Sequence, residues 1–406
     1  MKKILLLHFG GLENYGTGMM GLITITELHR RYKGGVKISC DFANDSTIDD
    51  VKSELNDEVL LERHKFSPKK RFSNKLIRVV YNLFSPFSRK DVKQYDEIII
   101  LGGDDISEYY VNNIFLEILQ YWYWSLFSPV ILLGQSIGPF NLKRNRLVAK
   151  YFLNRITIIV RDGWTRKYLL TEFRLNKNVY QGADLAFKKL PLQNKVSIKT
   201  EALSTYGLEQ DKYCTIVISG IQGKYYTNDK EIFFNTYEQI IRSIWGKYDD
   251  IQKICLLAHT FPPHANEGRV IEEFLVRFSK EERGRLIAVT SKINQIRSRF
   301  ILGSGMFTIT GRMHAAISTF QMGKPAISLS YSAKYQGVIG INLDRGDLII
   351  ESNNPNLWDS GEIVKLVMDR VDYIFNNYET LTVSIKDKVE QQIEIVDSCF
   401  DRIINK

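Results

Sequence analysis

Hydrophobic positions occur along the chain in short continuous runs, and longer amphipathic stretches separate these runs. In the first half the runs span residues 4–9, 36–42, 97–101, 130–133 and 156–160. Uninterrupted apolar runs of this length are typical of strands buried on both faces of a parallel sheet. The intervening stretches, such as residues 16–32, carry their apolar positions at helical spacing. Alternating strands and helices predict βαβ units.

The same alternation begins again after Lys188. Apolar runs recur at residues 215–219, 254–258, 286–289, 306–309 and 326–329, and helical stretches are predicted at 229–245, 267–278, 292–302 and 314–321. The predicted fold class is α/β, with two Rossmann-like domains that face a cleft. We expect an N-terminal domain over residues 1–190, a polar linker over 191–211, a C-terminal domain over 212–375 and a helical tail over 376–406.

Composition narrows the class of protein. The hydrophobic fraction is 44% and the charged fraction 25%, which is ordinary for a globular chain. The four cysteines, Cys40, Cys214, Cys255 and Cys399, are far apart and form no CxxC pair, so neither a disulfide framework nor a structural zinc site is expected. The first apolar run is too short for a secretory signal, and the expected location is the cytoplasm.

Positive charge is concentrated in residues 63–93, where ten lysines and arginines face one acid, Asp91, in a chain of net charge +9. Apolar residues recur there at helical spacing. Two interpretations are open: a basic amphipathic helix that contacts anionic lipid at the inner face of the plasma membrane, or a helix packed on the core with a solvated basic face. The chain has no nucleic-acid-binding motif, so nucleic acid is not an expected partner.

The strongest chemical signal is the segment Gly311-Arg312-Met313-His314, which follows a predicted strand and opens a predicted helix. The start of a helix attracts anions. The guanidinium of Arg312 suits phosphate or carboxylate, and the imidazole of His314 can exchange protons near neutral pH. The alternative is an arginine that pairs with a structural acid and a histidine that caps the helix.

Other polar residues also follow predicted strands. Lys334 is a candidate second cation for the same anion. Arg161 is a further candidate, whereas its neighbour Asp162 is typical of a helix N-cap. His259 and His264 flank Pro262-Pro263, but a metal site needs a third ligand and Glu267 is a weak one. No metal is therefore expected.

Two loops of the first half are rich in glycine. They contain Asn14 and Gly103-Asp104, and neither has the GxGxxG or GK[ST] pattern of a nucleotide-binding loop. Such loops either bind a substrate through backbone N–H groups or simply turn the chain. The chain also has no GxSxG and no HExxH, which argues against a serine hydrolase or a zinc protease.

Six short motifs in order resemble the polysaccharide pyruvyl transferase family over nearly the whole chain. They are Gly102-Gly103, the GQSIGP stretch at 134–139, Val160-Arg161-Asp162, the ADLAF stretch at 183–187, Gly311-Arg312-Met313-His314-Ala315, and residues 323–334. The resemblance implies a glycosyltransferase B-like fold. It also implies a transferase that uses phosphoenolpyruvate to place a pyruvate ketal across two hydroxyls of a sugar, in a surface polysaccharide (an exopolysaccharide or capsule) or its lipid-linked precursor.

The resemblance also assigns roles to individual residues. Arg312 would bind the donor and His314 would act as the acid–base group, with Gly311, Met313, Lys334 and Arg161 completing the donor site. The acceptor candidates are Asn14, Gly103, Asp104 and Gln135. Phosphoenolpyruvate is a co-substrate in this scheme, and no cofactor is implied.

The first loop departs from the family pattern. The family usually has Asn-x-Gly-Asp there, whereas this chain has Asn14-Tyr15-Gly16-Thr17. Two alternatives therefore stand beside the pyruvyl transferase: a nucleotide-sugar glycosyltransferase of the same two-domain fold, and a non-catalytic member of the family.

Overall fold

The computed structural model describes residues 1–65, 90–108, 113–220, 226–262 and 265–405. The chain forms two compact units. Unit 1 comprises residues 1–11, 20–185 and 395–406, and unit 2 comprises residues 12–19 and 186–394. Each unit is built on one parallel sheet flanked by helices, which confirms the predicted class of two α/β domains.

Unit 1 contains a seven-stranded sheet of order β3-β2-β1-β4-β5-β6-β7. Its strands are β1 Lys2–Leu7, β2 Val36–Cys40, β3 Leu60–Arg63, β4 Glu97–Leu101, β5 Val130–Gln135, β6 Thr157–Val160 and β7 Val179–Gln181. Its helices are α1 Tyr15–Arg31 (the first turn of which belongs to unit 2), α2 Ser46–Ser53, α3 Ile114–Trp124, α4 Lys143–Phe152 and α5 Gly163–Phe173. The inner strand β4 is buried along its whole length.

Unit 2 contains a six-stranded sheet of order β10-β9-β8-β11-β12-β13. Its strands are β8 Tyr213–Val217, β9 Lys253–Leu257, β10 Leu286–Val289, β11 Thr308–Thr310, β12 Ala326–Ser330 and β13 Ile349–Glu351. The helices are α6 Val196–Thr205, α7 Lys230–Lys247, α8 Glu267–Leu275, α9 Lys280–Arg283, α10 Gln295–Ser304, α11 Met313–Gln321, α12 Pro355–Asp359, α13 Glu362–Asn376 and α14 Tyr378–Ile404.

The boundaries of the two units differ from the domain boundaries that the sequence predicts. Residues 191–211, expected as a linker, contain α6 and belong to unit 2, because Leu203, Tyr206 and Leu208 pack on the core of that unit. Residues 12–19 also belong to unit 2. The last residues of α14 belong to unit 1, where Asp397 accepts a hydrogen bond of 2.7 Å from Arg31.

One sequence prediction concerns contact with a membrane surface. Of residues 63–93, the stretch 66–89 lies outside the described residues, so the predicted basic helix is not covered. Among the helices that the structure describes, none is both long and apolar enough to cross a bilayer.

Candidate functional site

The centre of the unit 2 sheet is the place where the strand order reverses. Strand β8 lies beside β11, with β9 and β10 on one side and β12 and β13 on the other. In open parallel sheets, ligands bind outside the carboxyl ends of the strands at such a switch point. Ser219 and Gly220 follow β8 there, and Gly311 and Arg312 follow β11.

A buried carboxylate fixes Arg312 at this switch point. Arg312 precedes α11, and its Nε donates a hydrogen bond of 2.7 Å to Oε1 of Glu267. Glu267 is the first residue of α8 and is fully buried. Its carboxylate also accepts hydrogen bonds from the backbone N–H groups of His259 (2.9 Å) and Gly220 (3.2 Å). One carboxylate therefore joins the ends of β8, β9 and β11.

The pairing with Glu267 leaves one edge of the guanidinium available. Burial alone would lower the pKa of Arg312, but the adjacent Glu267 carboxylate outweighs it and raises the pKa, so the side chain stays charged. Within the described residues, the bond to Glu267 is the only hydrogen bond that the guanidinium makes. The pairing with a structural acid, one of the two alternatives from the sequence, is therefore present. Among the described residues it uses Nε alone, and Nη1 and Nη2 have no hydrogen-bond partner there.

His314 lies in the first turn of α11 and packs against the first turn of α1. A Cβ atom on Gly16 would stand 2.5 Å from Cγ of the imidazole, so only glycine fits at residue 16. Asn14 holds this turn, because its Oδ1 accepts a hydrogen bond of 3.0 Å from the N–H of Gly16. Asn14, expected in the N-terminal domain, thus belongs to unit 2 and to the surroundings of His314.

Three tyrosines and Lys334 lie near the start of α11. The Tyr335 hydroxyl donates to the carbonyl of Gly311 at 2.6 Å, and the Tyr226 hydroxyl donates to the carbonyl of Leu329 at 3.1 Å. Lys334 Nζ lies 2.9 Å from the Tyr331 hydroxyl and over the Tyr331 and Tyr335 rings. The lysine thus stands after β12, the strand adjacent to β11, as the sequence predicts.

His259 is a buried neutral neighbour of this cluster. Burial lowers the pKa of His259 well below its usual value, and the positive charges of His314, Arg312 and Arg299 lower it further. Its ring meets that of Tyr15 edge-on at 5.3 Å. His264, its proposed companion in a metal site, lies outside the described residues, and no three histidine, cysteine or acidic side chains of the described part of the chain are arranged to hold a metal ion.

The remaining predicted residues lie in unit 1, where Arg161 and Gln135 are buried and Gly103 and Asp104 are half-buried. Arg161 is 1% exposed, and its guanidinium donates to Asp184 and to Ser136, each at 2.9 Å. The fully buried Gln135 donates to the carbonyl of Leu101 at 2.8 Å. The carbonyl of Gly103 accepts a hydrogen bond from the N–H of Ser136. This geometry favours a structural role for Arg161 and Gln135.

The predicted residues therefore divide between the units. Unit 2 holds Gly311, Arg312, Met313, His314 and Lys334 together with Asn14, and Met313 is buried there. Unit 1 holds Gly103, Asp104, Gln135 and Arg161. Burial lowers the pKa of Arg161, but the negative charges of Asp184, Asp104 and Asp162 outweigh it and raise the pKa.

From the sequence, Glu267 was only a weak candidate metal ligand, and no specific role was predicted for Gly16. An acid at the start of a helix is a common sequence feature, so nothing marks Glu267 as the partner of Arg312. Gly16 stands in a glycine-rich loop whose proximity to His314 only the folded chain reveals.

Two sequence comparisons identify proteins that this chain resembles. The family model for polysaccharide pyruvyl transferase matches residues 41–333. A relative from Erwinia amylovora, described as the amylovoran biosynthesis protein AmsJ, is 24% identical over 96% of this chain and 96% of its own.

Solved structures show the fold alone. A UDP-GlcNAc 2-epimerase from Neisseria meningitidis bound to UDP-GlcNAc superposes with a TM-score of 0.62 at 12% identity, covering 97% of this chain and 99% of that one. A glycosyltransferase from Rickettsia africae gives a TM-score of 0.58 at 10% identity, covering 100% of this chain and 97% of that one. The fold is that of glycosyltransferase B-like enzymes, and with a family model that spans most of its length, this chain belongs to the polysaccharide pyruvyl transferase family.

Proposed function

We propose that the protein transfers the pyruvyl unit of phosphoenolpyruvate to two hydroxyls of one sugar, with formation of a ketal and release of phosphate. The observation that carries this proposal is the arrangement at the start of α11. There Arg312 is held by Glu267 through Nε alone, and His314 follows it within the same helical turn. The acceptor is a sugar of a surface polysaccharide or of its lipid-linked precursor, because AmsJ is described by its part in amylovoran biosynthesis.

The charges of the site suit a small dianion. Phosphoenolpyruvate carries a phosphate and a carboxylate on one carbon, C2. The free edge of the Arg312 guanidinium offers two parallel N–H donors, the geometry that both groups accept best. The first turn of α11 directs N–H groups toward the same end of the sheet, and Lys334 adds a second cation. Glu267 fixes the direction of Arg312 before the donor arrives, which is the preorganisation that electrostatic catalysis requires.

His314 supplies the proton that the enol carbon needs. As the first sugar hydroxyl forms a bond to C2, C3 takes a proton from His314 and becomes the methyl group. The bond from C2 to the phosphate oxygen then breaks, and the electron pair leaves with phosphate. The second hydroxyl bonds to C2 and closes the ring. A positioned acid of this kind contributes roughly 10²–10⁴-fold to the rate, and the scheme uses no cofactor beyond phosphoenolpyruvate itself.

The test is phosphate release by the full chain with phosphoenolpyruvate and a panel of lipid-linked sugars, followed by mass spectrometry of the acceptor. We expect a product heavier than the acceptor by one pyruvic acid less one water. His314→Gln should lower turnover by about 10²–10⁴-fold while donor affinity, measured by calorimetry, stays within about twofold. Arg312→Lys should weaken donor binding, because lysine cannot make the two parallel bonds.

A matched control is His29→Gln. His29 lies in the last turn of α1, in unit 1, so this variant should keep wild-type turnover. Unchanged phosphate release by His314→Gln would refute the proton-donor role. Thermal stabilisation by UDP-sugars but not by phosphoenolpyruvate would instead establish the nucleotide-sugar glycosyltransferase.

A further inference from the structure

Helices α3, α4 and α5 cover one face of the sheet in unit 1. Their inward side chains share one apolar core with strands β1, β4, β5 and β6. Outside that core, four large apolar side chains stay exposed: Leu126 (44%), Phe127 (39%), Leu147 (57%) and Tyr151 (59%). Single apolar residues are normal on a protein surface, whereas a group of them on one surface marks a place of interaction.

The four exposed side chains lie on adjoining parts of α3 and α4. Leu147 and Tyr151 are four residues apart on α4 and therefore project from the same side of the helix. The end of α4 is joined to the end of α3, because Nε of Arg155 donates a hydrogen bond of 3.1 Å to the carbonyl of Ser125. The exposed pair 126–127 follows Ser125 directly, so it lies beside the last turn of α4.

Positive charge surrounds this apolar area. The sequence has no aspartate or glutamate from residue 118 to residue 161. Lys143 and Lys150 are exposed on α4, and their spacing places them on the same side as its two exposed apolar residues. A third lysine, Lys93, has its Nζ 4.0 Å from the centre of the Phe127 ring. Together these residues form the α4 surface, which comprises Lys93, Leu126, Phe127, Lys143, Leu147, Lys150 and Tyr151.

Two acids near α4 are engaged in bonds of their own. Glu172 pairs with Arg146 at 2.8 Å. Glu108 accepts the backbone N–H groups of residues 141 and 142 at 2.8 and 2.9 Å, and it also accepts a hydrogen bond from the amide of Asn145. The lysines of the α4 surface therefore keep their excess of positive charge in the folded chain.

The combination of side chains distinguishes between anionic partners. Nucleic acid is bound by cations and by aromatic rings that stack on bases, but it makes no use of exposed leucines. Protein interfaces are depleted of lysine. At an anionic bilayer, in contrast, apolar side chains enter the boundary of headgroups and acyl chains, tyrosine sits at the level of the headgroups, and lysines attract the lipid phosphates.

We propose that the α4 surface rests on a bilayer of anionic phospholipid. Helix α4 lies in the plane of the membrane, with Leu147 and Tyr151 in the headgroup region and Lys143 and Lys150 on the lipid phosphates. The contact is peripheral, since no helix among the described residues is long and apolar enough to span a bilayer. The inference goes beyond the proposed function, because binding to lipid needs neither donor nor acceptor.

The α4 surface also bears on the membrane contact predicted for residues 63–93. Lys93, the last residue of that stretch, is described and belongs to the α4 surface. Substitutions confined to α4 leave residues 63–93 unchanged. A loss of lipid binding in such variants is therefore assigned to the α4 surface.

The test is co-sedimentation of the full chain with phosphatidylcholine vesicles that either contain or lack phosphatidylglycerol. One double variant, Lys143→Gln with Lys150→Gln, removes charge, and another, Leu147→Gln with Tyr151→Gln, removes apolar area. The matched control is Lys52→Gln with Lys365→Gln, which makes the same change of charge at exposed lysines of α2 and α13.

We expect the wild type to bind the anionic vesicles much more tightly than the neutral ones, and to release them as salt is added. Loss of the two α4 lysines should weaken binding by about fivefold for each lysine. Loss of the two apolar side chains should weaken it by at least about tenfold. The control should stay within about twofold of the wild type, because its lysines lie outside the α4 surface.

A fluorescent label checks which surface meets the lipid. Asn154 is exposed and stands three residues after Tyr151, and the native cysteines in the structure are all buried. An environment-sensitive dye on Asn154→Cys should shift its emission to the blue when anionic vesicles are added. The same dye on Asn56→Cys, at an exposed position after α2, should show no shift.

Four results would overturn the proposal: no binding to either vesicle, equal binding to both, wild-type binding by either α4 double variant, or an unshifted dye at residue 154. Retained binding in Leu147→Gln with Tyr151→Gln would identify a site for a polyanion such as nucleic acid. A smaller oligomer in that variant, measured by analytical ultracentrifugation, would show that a second copy of the chain covers the surface. None of these measurements uses phosphoenolpyruvate, so they stand whatever the donor proves to be.

Discussion

The Arg312–Glu267 pair offers the sharpest test of how the proposed donor site is held together. Arg312→Met removes the charge that faces a fully buried carboxylate and leaves Glu267 with the two backbone donors of His259 and Gly220. Breaking a buried ion pair from one side lowers the free energy of unfolding by about 3–5 kcal/mol, because the remaining charge is uncompensated. Glu267→Gln alone should lower it by about 1.5–3 kcal/mol, the contribution of a hydrogen bond to a charged group.

The double variant should reverse the sign of the second substitution. Once Arg312 is methionine, Glu267→Gln removes the uncompensated charge, and the amide oxygen can still accept a backbone N–H. Glu267→Gln should therefore destabilise the wild type and stabilise Arg312→Met. Urea unfolding of the four proteins at pH 7 gives the coupling free energy directly.

A surface pair provides the control for this cycle. Arg242 pairs with Glu238 and Glu282 at 44% exposure, and Arg242→Met should change the free energy of unfolding by less than about 1 kcal/mol. The reasoning is refuted if Arg312→Met matches this control, or if Glu267→Gln destabilises both backgrounds equally.

Three further predictions concern buried groups. His259 is neutral in the folded protein, whereas in the unfolded chain it binds a proton below about pH 6.5. The free energy of unfolding should therefore fall as the pH drops below that value. In His259→Asn, the urea midpoints measured from pH 7 to 5 should depend less on pH. Gly16→Ala should displace the His314 ring and reduce phosphate release. Gly246 faces open space, so Gly246→Ala should leave phosphate release unchanged. Equal activity of the two variants would contradict the close packing of Gly16 on His314. Arg161→Met should lower the free energy of unfolding by about 3–5 kcal/mol without changing donor affinity, and a weaker donor affinity at unchanged stability would restore its predicted role as a ligand.

The inner strands were predictable because burial on both faces leaves no room for polar residues. The inner strand β4 begins and ends where its apolar run predicts it. Strand β10, although it lies at an edge of its sheet, also matches its predicted run, because all four of its residues are apolar. The edge strands β3, β7 and β13 were missed, because each is short and keeps polar or exposed positions. An edge strand has one neighbour, so its sequence is less constrained by the core.

The sequence predicts residues of the site only where the features that mark them follow one another along the chain. Arg312 and His314 are marked by a strand, a turn and a helix start that follow one another in the sequence. The contacts of these residues with Glu267 and Gly16 join segments that are far apart in the chain, and no periodicity records such contacts. The same limit explains residues 191–211, whose polar composition conceals a helix. Leu203 of that helix, together with Tyr206 and Leu208 directly after it, packs on the core of unit 2.

The path of helix α1 has a consequence for any attempt to divide the protein. Its first turn belongs to unit 2 and packs on His314, whereas the rest of the helix belongs to unit 1. A fragment that ends near residue 190 would carry this turn away from its histidine, and the complementary fragment would expose the imidazole to water. Neither half expressed alone would contain all residues of the proposed donor site. A circular permutation that keeps residues 12–19 with the unit 2 sheet would preserve them in one fragment.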